Sequence, residues 1–270
     1  MNAIAKKFEK MGARVKVRQA DSAITPRFNG SNTFRVDVRK DKEGTFFDLL
    51  VGKAVEVSVL DVQPKDRHLV LLARTPGTRT HDPDDKAKFL CGHDERDWFV
   101  AAVPENRPVS SVQTAKQALK PKAVVDAEAQ AGVKPGKRQK RRNNARIRQG
   151  EWFFIPAPNV EVNENLILKN EPLVRGRVGK PHLAQYAYRT GGVTVYVGPG
   201  YPNGVTEATY KNMDTTKRAL LRPMRRDARV YVKGTIRHSD HKTIHLDGWH
   251  LVEMNTETQS NAMRNVAFLD

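Results

Sequence analysis

Four histidines lie within 13 residues of this 270-residue chain, at His238, His241, His245 and His250, with Asp240 among them. Imidazole and carboxylate groups can bind Zn²⁺ or Mn²⁺, or act as base and acid in phosphodiester cleavage. On an extended strand His241 and His245 would be about 13 Å apart, so one metal cannot hold the whole set. Only the residues crowded around the loop, His238, Asp240 and His241, can converge.

A catalytic set of His238, Asp240, His241 and His245 is therefore one hypothesis, with the histidines contacting phosphate or water as the alternative. No HExxH motif or CxxC pair accompanies them, so the sequence assigns no metal ligand. A divalent metal is expected as a cofactor only if this part of the chain cleaves phosphodiesters.

Two alternating runs, residues 229–237 and 243–252, predict that the histidines lie on an antiparallel hairpin. A two-residue loop would mix apolar with polar side chains on each face of this hairpin. A three-residue loop at residues 239–241 separates them, because Ile236 then faces Ile244. We therefore expect the second register.

The other face of the predicted hairpin combines cations with aromatic rings. In this register Tyr231 pairs with Trp249 and Lys233 with Asp247, and Arg237 lies on the same face. Rings that stack on unpaired bases, with cations nearby for phosphates, are typical of single-strand-binding surfaces. An ordinary solvated face, or one covered by a helix, is the alternative.

Residues 131–150, here called the basic segment, dominate the charge of the chain. The formal net charge is +17, from 47 basic and 30 acidic residues, and this segment supplies eight cations and no anion. These cations are Lys134, Lys137, Arg138, Lys140, Arg141, Arg142, Arg146 and Arg148. Like charges at this density keep a chain extended unless an anion neutralises them. The segment is either a phosphate-binding arm or a solvated linker, and in a eukaryote residues 137–140 could also direct nuclear import.

Three further features bear on binding or catalysis. Another group of cations precedes the hairpin and consists of Lys217, Arg218, Arg222, Arg225 and Arg226. It either extends the binding surface or forms a solvated face. Residues 94–97 are mostly acidic and suit contact with the basic segment better than contact with phosphate. Cys91 and His93 could form a nucleophile and its base, although a chance pairing is the commoner meaning of such spacing.

Short alternating runs separated by turn residues predict an α+β fold in two small mixed domains. The predicted domains are an N-terminal α+β domain (1–125), a basic linker (126–150) and a β-rich C-terminal domain (151–270) that ends with the antiparallel hairpin. Predicted strands are residues 14–18, 34–38, 54–62, 68–73, 98–103, 152–156, 160–168, 174–179 and 193–197. Predicted helices are residues 109–119, 181–189 and 206–222, and Asn29 and Gly30 suit a turn.

The composition excludes several classes of protein. A single cysteine excludes a disulfide framework and a Cys-rich zinc module, and no stretch of 18 apolar residues could span a membrane. With no secretory leader pattern, we expect a cytoplasmic protein without a membrane partner. No RNP motif, zinc finger or helix-turn-helix is present in the sequence.

The leading hypothesis is a nucleic-acid-binding protein, with RNA or single-stranded DNA favoured by the aromatic face. The alternatives are a metal- or histidine-dependent nuclease, and a structural component of a ribonucleoprotein or another assembly with protein partners. Whether the chain is an enzyme is left open by the sequence.

Overall fold

The computed structural model describes residues 2–20, 33–77, 83–174 and 180–266. Within these ranges the chain combines short helices with several small sheets, which confirms the predicted mixed character. The helices are α1 (Asn2–Lys10), α2 (Val112–Ala118), α3 (Lys122–Gln130), α4 (Glu207–Lys211) and α5 (Thr215–Ala219). The strands are β1 (Arg14–Gln19), β2 (Phe34–Asp41), β3 (Gly44–Val51), β4 (Glu56–Gln63), β5 (His68–Thr75), β6 (Asp85–Asp94), β7 (Asp97–Val103), β8 (Ile147–Gln149), β9 (Trp152–Pro156), β10 (Leu168–Leu173), β11 (His182–Thr190), β12 (Val193–Gly198), β13 (Tyr201–Thr206), β14 (Arg222–Arg226), β15 (Arg229–Arg237) and β16 (Ile244–Met254).

Two sheets share one core in the N-terminal part of the chain. Their strand orders are β1–β3–β2, with β1 parallel to β3, and β4–β5–β6–β7. The core between them includes Phe47, Leu69 and Phe89, none of which is exposed. Helix α1 closes this core with Phe8, whose ring centroid lies 5.1 Å from that of Phe47.

The four-stranded sheet is also buried on its second face, where α2 packs against it. Val70 and Leu90 of the sheet contact Val112 of the helix in a second apolar cluster. The helix begins with a capping box, in which the Ser111 hydroxyl accepts from the backbone N–H of Thr114 and the Thr114 hydroxyl accepts from that of Ser111. Burial on both faces explains why β5 and β7 are nearly continuously apolar.

The C-terminal part of the chain forms a six-stranded antiparallel sheet with the order β10–β11–β15–β16–β9–β8. Its buried side includes Phe154, Ala184, Val232 and Ile236, all completely inaccessible to solvent. Strand β8 is the end of the basic segment, so this segment finishes as an edge strand of the sheet. A smaller sheet, β13–β12–β14, carries α4 on one side, where Tyr210 stacks on Tyr196 at 3.7 Å.

After β16 the chain returns to the N-terminal core through two 3-10 helices, Thr256–Gln259 and Asn261–Asn265. The Ser260 hydroxyl donates to the carbonyl oxygen of Val103, and Val266 forms a parallel bridge with Val36. These contacts tie both ends of the described chain to one core. The predicted arrangement of two domains joined by a basic linker is therefore not confirmed. None of the described helices has the length and apolar composition needed to cross a membrane.

The hairpin of β15 and β16 has the predicted register close to its loop. Ile236 pairs with Ile244, and Gly234 pairs with Leu246. This confirms the expectation that the apolar side chains share one face there, since opposed residues on antiparallel strands point to the same side of the sheet.

Further from the loop a β-bulge shifts the register by two residues. Tyr231 pairs with Leu251, so the predicted pairing of Tyr231 with Trp249 is wrong. The expected pair of Lys233 with Asp247 falls inside the bulge and is absent from the described ladder. Sequence alternation could not reveal this shift, because extra residues in one strand leave the pattern on either side unchanged.

Several predicted elements differ from the structure. Of residues 181–189, all but the first belong to strand β11 and none to a helix. Residues 206–222 contain the last residue of β13, the short helices α4 and α5, and the first residue of β14. Of the predicted strand 160–168, only Leu168 belongs to a strand. The turn at Asn29 and Gly30, and all but the first residue of the strand 174–179, lie outside the described residues.

Gly234 permits the bulge, and replacing it with alanine should destabilise the protein. Its φ is +84°, and an added Cβ would lie 2.5 Å from the Gln185 Oε1 atom, which accepts a hydrogen bond from the Thr235 backbone N–H. We expect Gly234→Ala to lower the free energy of unfolding by about 1–3 kcal/mol, measured by urea denaturation.

Gly248→Ala on the partner strand is the matched control, because a Cβ there meets nothing within 4 Å. We expect it to change the free energy of unfolding by less than about 0.5 kcal/mol. Equal destabilisation by both substitutions would show that the positive φ of Gly234 and its contact with Gln185 do not cause the loss of stability.

Candidate functional site

The basic segment is folded and not extended, because a buried carboxylate holds it. Arg146, predicted to bind nucleic acid, is only 2% exposed, and it donates to Glu128 Oε1 at 3.0 Å. Lys120, also buried, donates to Glu128 Oε2 at 2.7 Å, and both cations donate to the carbonyl oxygen of Arg138. Burial lowers the pKa of Lys120 and of Arg146, and Glu128 opposes that effect.

A second acidic group neutralises two further arginines of the segment. Arg141 forms ion pairs with Asp94 and Glu95, and Arg148 forms one with Asp94 at 3.3 Å. This confirms the expectation that residues 94–97 contact the basic segment. The like charges therefore do not keep the chain extended, since anions of the same molecule face them.

The remaining cations of the segment are exposed. Arg138 is exposed, although its Nε donates to the carbonyl oxygen of Val133. The other exposed cations are Lys134, Lys137, Lys140 and Arg142. Within the described ranges none of these four makes an ion pair. The segment thus divides into an inner set that stabilises the fold and an outer set that faces solvent.

A cavity of about 520 Å³ lies between the basic segment, the N-terminal sheet and the β15–β16 loop. Groups of both charges line it, including His68, Lys116, Asp94 and Arg141. His241, in the loop, forms part of the same wall. A ligand in this cavity would meet hydrogen-bond donors and acceptors on several sides.

Three histidines meet beside this cavity. One nitrogen each of His182, His238 and His241 lies within 4.8 Å of the other two. The rings stack, with centroids 4.2 Å apart for His182 and His238, 4.7 Å for His238 and His241, and 5.3 Å for His182 and His241. We call these three residues the histidine cluster.

Each member of the histidine cluster has a different environment. His182 is 1% exposed, and neither of its ring nitrogens has a hydrogen-bond partner among the described residues. Burial, followed by the neighbouring His238 and His241, lowers the pKa of His182 to about 3. His238 is better satisfied, because Nδ1 accepts from the Asp240 backbone N–H at 3.1 Å and Nε2 lies 3.1 Å from the carbonyl oxygen of Lys180.

His182 was missed by the sequence analysis because its place in the cluster depends on strand pairing. β11 pairs with β15 so that Leu183 faces Arg237. One residue further along this antiparallel ladder, His182 meets His238. The two positions are 56 apart in the sequence, and no local pattern links them.

Of the predicted catalytic set, His238, Asp240 and His241 do lie together around the loop, as expected. Asp240 forms an ion pair with Lys180 at 2.9 Å. His245 lies apart on β16, with its side chain 65% exposed and near Asp247. The proposed set of four is therefore divided, and His182 replaces His245 beside the loop.

Cys91 and His93 do not form an accessible nucleophile and base. Cys91 is completely buried in the N-terminal core, and burial raises the pKa of its thiol. His93 packs edge-on against Trp98 at 5.0 Å.

The predicted aromatic face of the hairpin is largely closed. Tyr231 is only 9% exposed, and Trp249 is half-buried with its ring against Tyr188 at 6.4 Å. Lys233 and Arg237 are exposed on β15. The cations are thus accessible where the aromatic rings are not.

Strand β14 carries the most open group of cations. All five of its residues are exposed, and it is an edge strand that pairs only with β12. Arg225 donates to the carbonyl oxygens of Gly191 and Gly192, whereas Arg222 and Arg226 have no ion-pair partner within the described residues. Just before the strand, Lys217 is exposed and Arg218 is half-buried.

Comparison with protein-family models, with curated protein sequences and with solved structures finds no match for this chain.

The stability of this region should depend on pH through His68, which lines the cavity. His68 is 7% exposed, and burial, with a smaller contribution from Lys116, lowers its pKa to about 4. Between about pH 6.5 and pH 4 the unfolded chain therefore binds a proton at this residue that the folded chain does not. On acidification from about pH 7.5 to pH 5, His68 alone should lower the free energy of unfolding by about 2 kcal/mol.

The measurement compares urea denaturation of the wild type and of His68→Gln at both pH values. The variant should lose about 2 kcal/mol less than the wild type on acidification. An identical loss in both proteins would show that His68 is not held neutral by burial.

Proposed function

We propose that this protein binds nucleic acid through the phosphate backbone. The observation that carries the proposal is the exposed edge strand β14, in which Arg222 and Arg226 have no anionic partner within the described residues. Solvent-facing cations without internal partners remain free to neutralise phosphates and release counterions.

The geometry of β14 supports this proposal. Arg222, Met224 and Arg226 alternate along the strand and so point to the same side of the sheet. Guanidinium groups can bind phosphate oxygens in a bidentate manner, and the Met224 side chain between them is half-exposed at 51%. Two arginines four residues apart on a strand span about 13 Å, so they can contact different phosphates of one backbone.

The outer cations of the basic segment extend the proposed surface. Lys134, Lys137, Lys140 and Arg142 are exposed, whereas Arg141, Arg146 and Arg148 are occupied by carboxylates. Only part of the segment is therefore available to a polyanion. The lysines add charge without the planar geometry that would select a particular base.

The closed aromatic face changes which nucleic acid is expected. The preference for RNA or single-stranded DNA depended on stacking at Tyr231 and Trp249, of which Tyr231 is buried and Trp249 is half-buried. Contacts to phosphate carry no sequence information directly. We therefore propose binding that is insensitive to sequence and falls steeply with salt.

A nuclease is the second proposal, and the convergence of His238, Asp240 and His241 beside the cavity favours it. Such an activity would need a phosphodiester bond to reach this loop, where His241 lines the cavity. Cleavage of labelled RNA or DNA by wild type, and its loss in His241→Ala with binding retained, would support this proposal.

The binding proposal predicts a specific change in salt dependence. Arg222→Ala/Arg226→Ala should weaken binding and reduce the slope of log affinity against log salt by about 1.8 for duplex DNA, or about 1.4 for single strands. Fluorescence anisotropy with labelled RNA, single-stranded DNA and duplex DNA over a range of salt concentrations measures this slope.

Arg189→Ala/Arg264→Ala is the matched control, because it removes the same charge from arginines that already face Glu171 and Asp85. Its slope should change much less than that of the β14 variant. Equal slopes for both variants would mean that only net charge matters, and absence of binding by the wild type at low salt would contradict the proposed function.

A further inference from the structure

We propose that the histidine cluster of His182, His238 and His241 binds one divalent transition-metal ion of the zinc class. This inference is independent of nucleic-acid binding, since it involves none of the cations of β14. It rests on the donor set, on the distances between the donors, and on ring nitrogens of His182 and His241 that have no hydrogen-bond partner among the described residues.

The donor set selects the class of metal. Three imidazoles suit Zn²⁺, Cu²⁺, Ni²⁺ or Co²⁺, whereas Mg²⁺ and Ca²⁺ prefer oxygen ligands.

The distances require only local rearrangement. Ligand nitrogens on one tetrahedral zinc ion lie about 3.3–3.4 Å apart, and the nitrogens of the cluster lie within 4.8 Å of one another. Rotation of the stacked rings about their side-chain torsions would direct the lone pairs toward one point. The backbone already holds the three residues together, because β11 pairs with β15 and the loop follows β15 directly.

Unpartnered nitrogens give a second, independent indication of a ligand. Both ring nitrogens of the buried His182 lack a hydrogen-bond partner among the described residues, as does Nδ1 of His241. A buried polar atom left without a partner is unfavourable, and a metal bond would satisfy one nitrogen of His182. His241 Nδ1 is 3.8 Å from a Glu95 carboxylate oxygen, which is too far for a hydrogen bond.

The surroundings of His238 resemble those of a metal ligand. Its Nδ1 accepts a hydrogen bond, so its Nε2 carries the proton and donates it to the Lys180 carbonyl oxygen. A ring N–H held by a backbone carbonyl is the usual way in which proteins orient a metal-binding histidine. The metal would replace the Asp240 N–H at Nδ1.

Gly150 keeps the space beside the cluster free of side-chain atoms. Its φ is +56°, and an added Cβ would lie 2.7 Å from His241 Nε2 and 3.4 Å from His182 Nε2. His241 also lines the cavity, so a metal held by three histidines would keep a fourth position on that side for water or another ligand.

Metal titration tests this inference on the full-length protein, freed of any affinity tag and treated with a chelator. Zn²⁺ should bind with one-to-one stoichiometry in calorimetry, with a Kd of roughly micromolar or tighter, and Co²⁺ should give the visible absorption of a tetrahedral nitrogen site. Loss of a hydrogen-bond partner of a metal ligand weakens binding by 10–100-fold, so His238→Ala and His241→Ala should each weaken it by more than about 100-fold.

His245→Ala on the same hairpin is the control, and it should bind metal as the wild type does. His238 and His241 are not fully buried, and circular dichroism checks that their variants are folded. Absence of binding by the wild type would overturn the inference. It would also be overturned if His238→Ala and His241→Ala retained binding, or if His245→Ala lost it equally.

Discussion

The buried carboxylate of Glu128 is the interaction on which the rest of this structure depends. It faces Lys120 and Arg146, and all three groups are almost completely removed from solvent. Removing one partner from such a group would leave an uncompensated buried charge, which typically costs about 3–5 kcal/mol. Because Arg146 belongs to the basic segment, Glu128 fixes that segment against α3. The segment then continues into β8 and Gly150, and so forms one wall of the cavity and one side of the histidine cluster.

This constraint changes the meaning of the +17 net charge. A sequence of eight cations without an anion suggests a free arm, yet Glu128, Asp94 and Glu95 neutralise its inner residues. What remains for a polyanion is a smaller set of exposed cations on the outer side of the segment and on β14. Electrostatic attraction to nucleic acid therefore depends on which cations lack internal partners and not on their total number.

Local patterns in the sequence predicted the mixed fold and the hairpin register beside its loop, since alternation acts between neighbours. They failed to predict features that depend on pairing between strands far apart in the sequence. Residues 181–189 contain Leu, Ala and Gln, which favour helices, but pairing with β10 and β15 makes them a strand. The bulge at Gly234 separated the expected pair of Tyr231 and Trp249, and the pairing of β11 with β15 brought His182 to His238. The convergence of His238, Asp240 and His241 was predictable because it lies within one loop.

Hydrogen exchange of the basic segment tests the central claim most directly, namely that internal carboxylates fold this segment. The Arg148 backbone N–H donates to the Arg141 carbonyl oxygen at 2.7 Å, and the Asn143 side chain accepts from the Ala145 and Arg146 N–H groups. These amides should exchange far more slowly than those of an unstructured peptide, and Glu128→Ala should accelerate them. If these amides of the wild type, measured without nucleic acid, exchanged as fast as those of an unstructured peptide, the claim would be contradicted. The segment would then be a free arm.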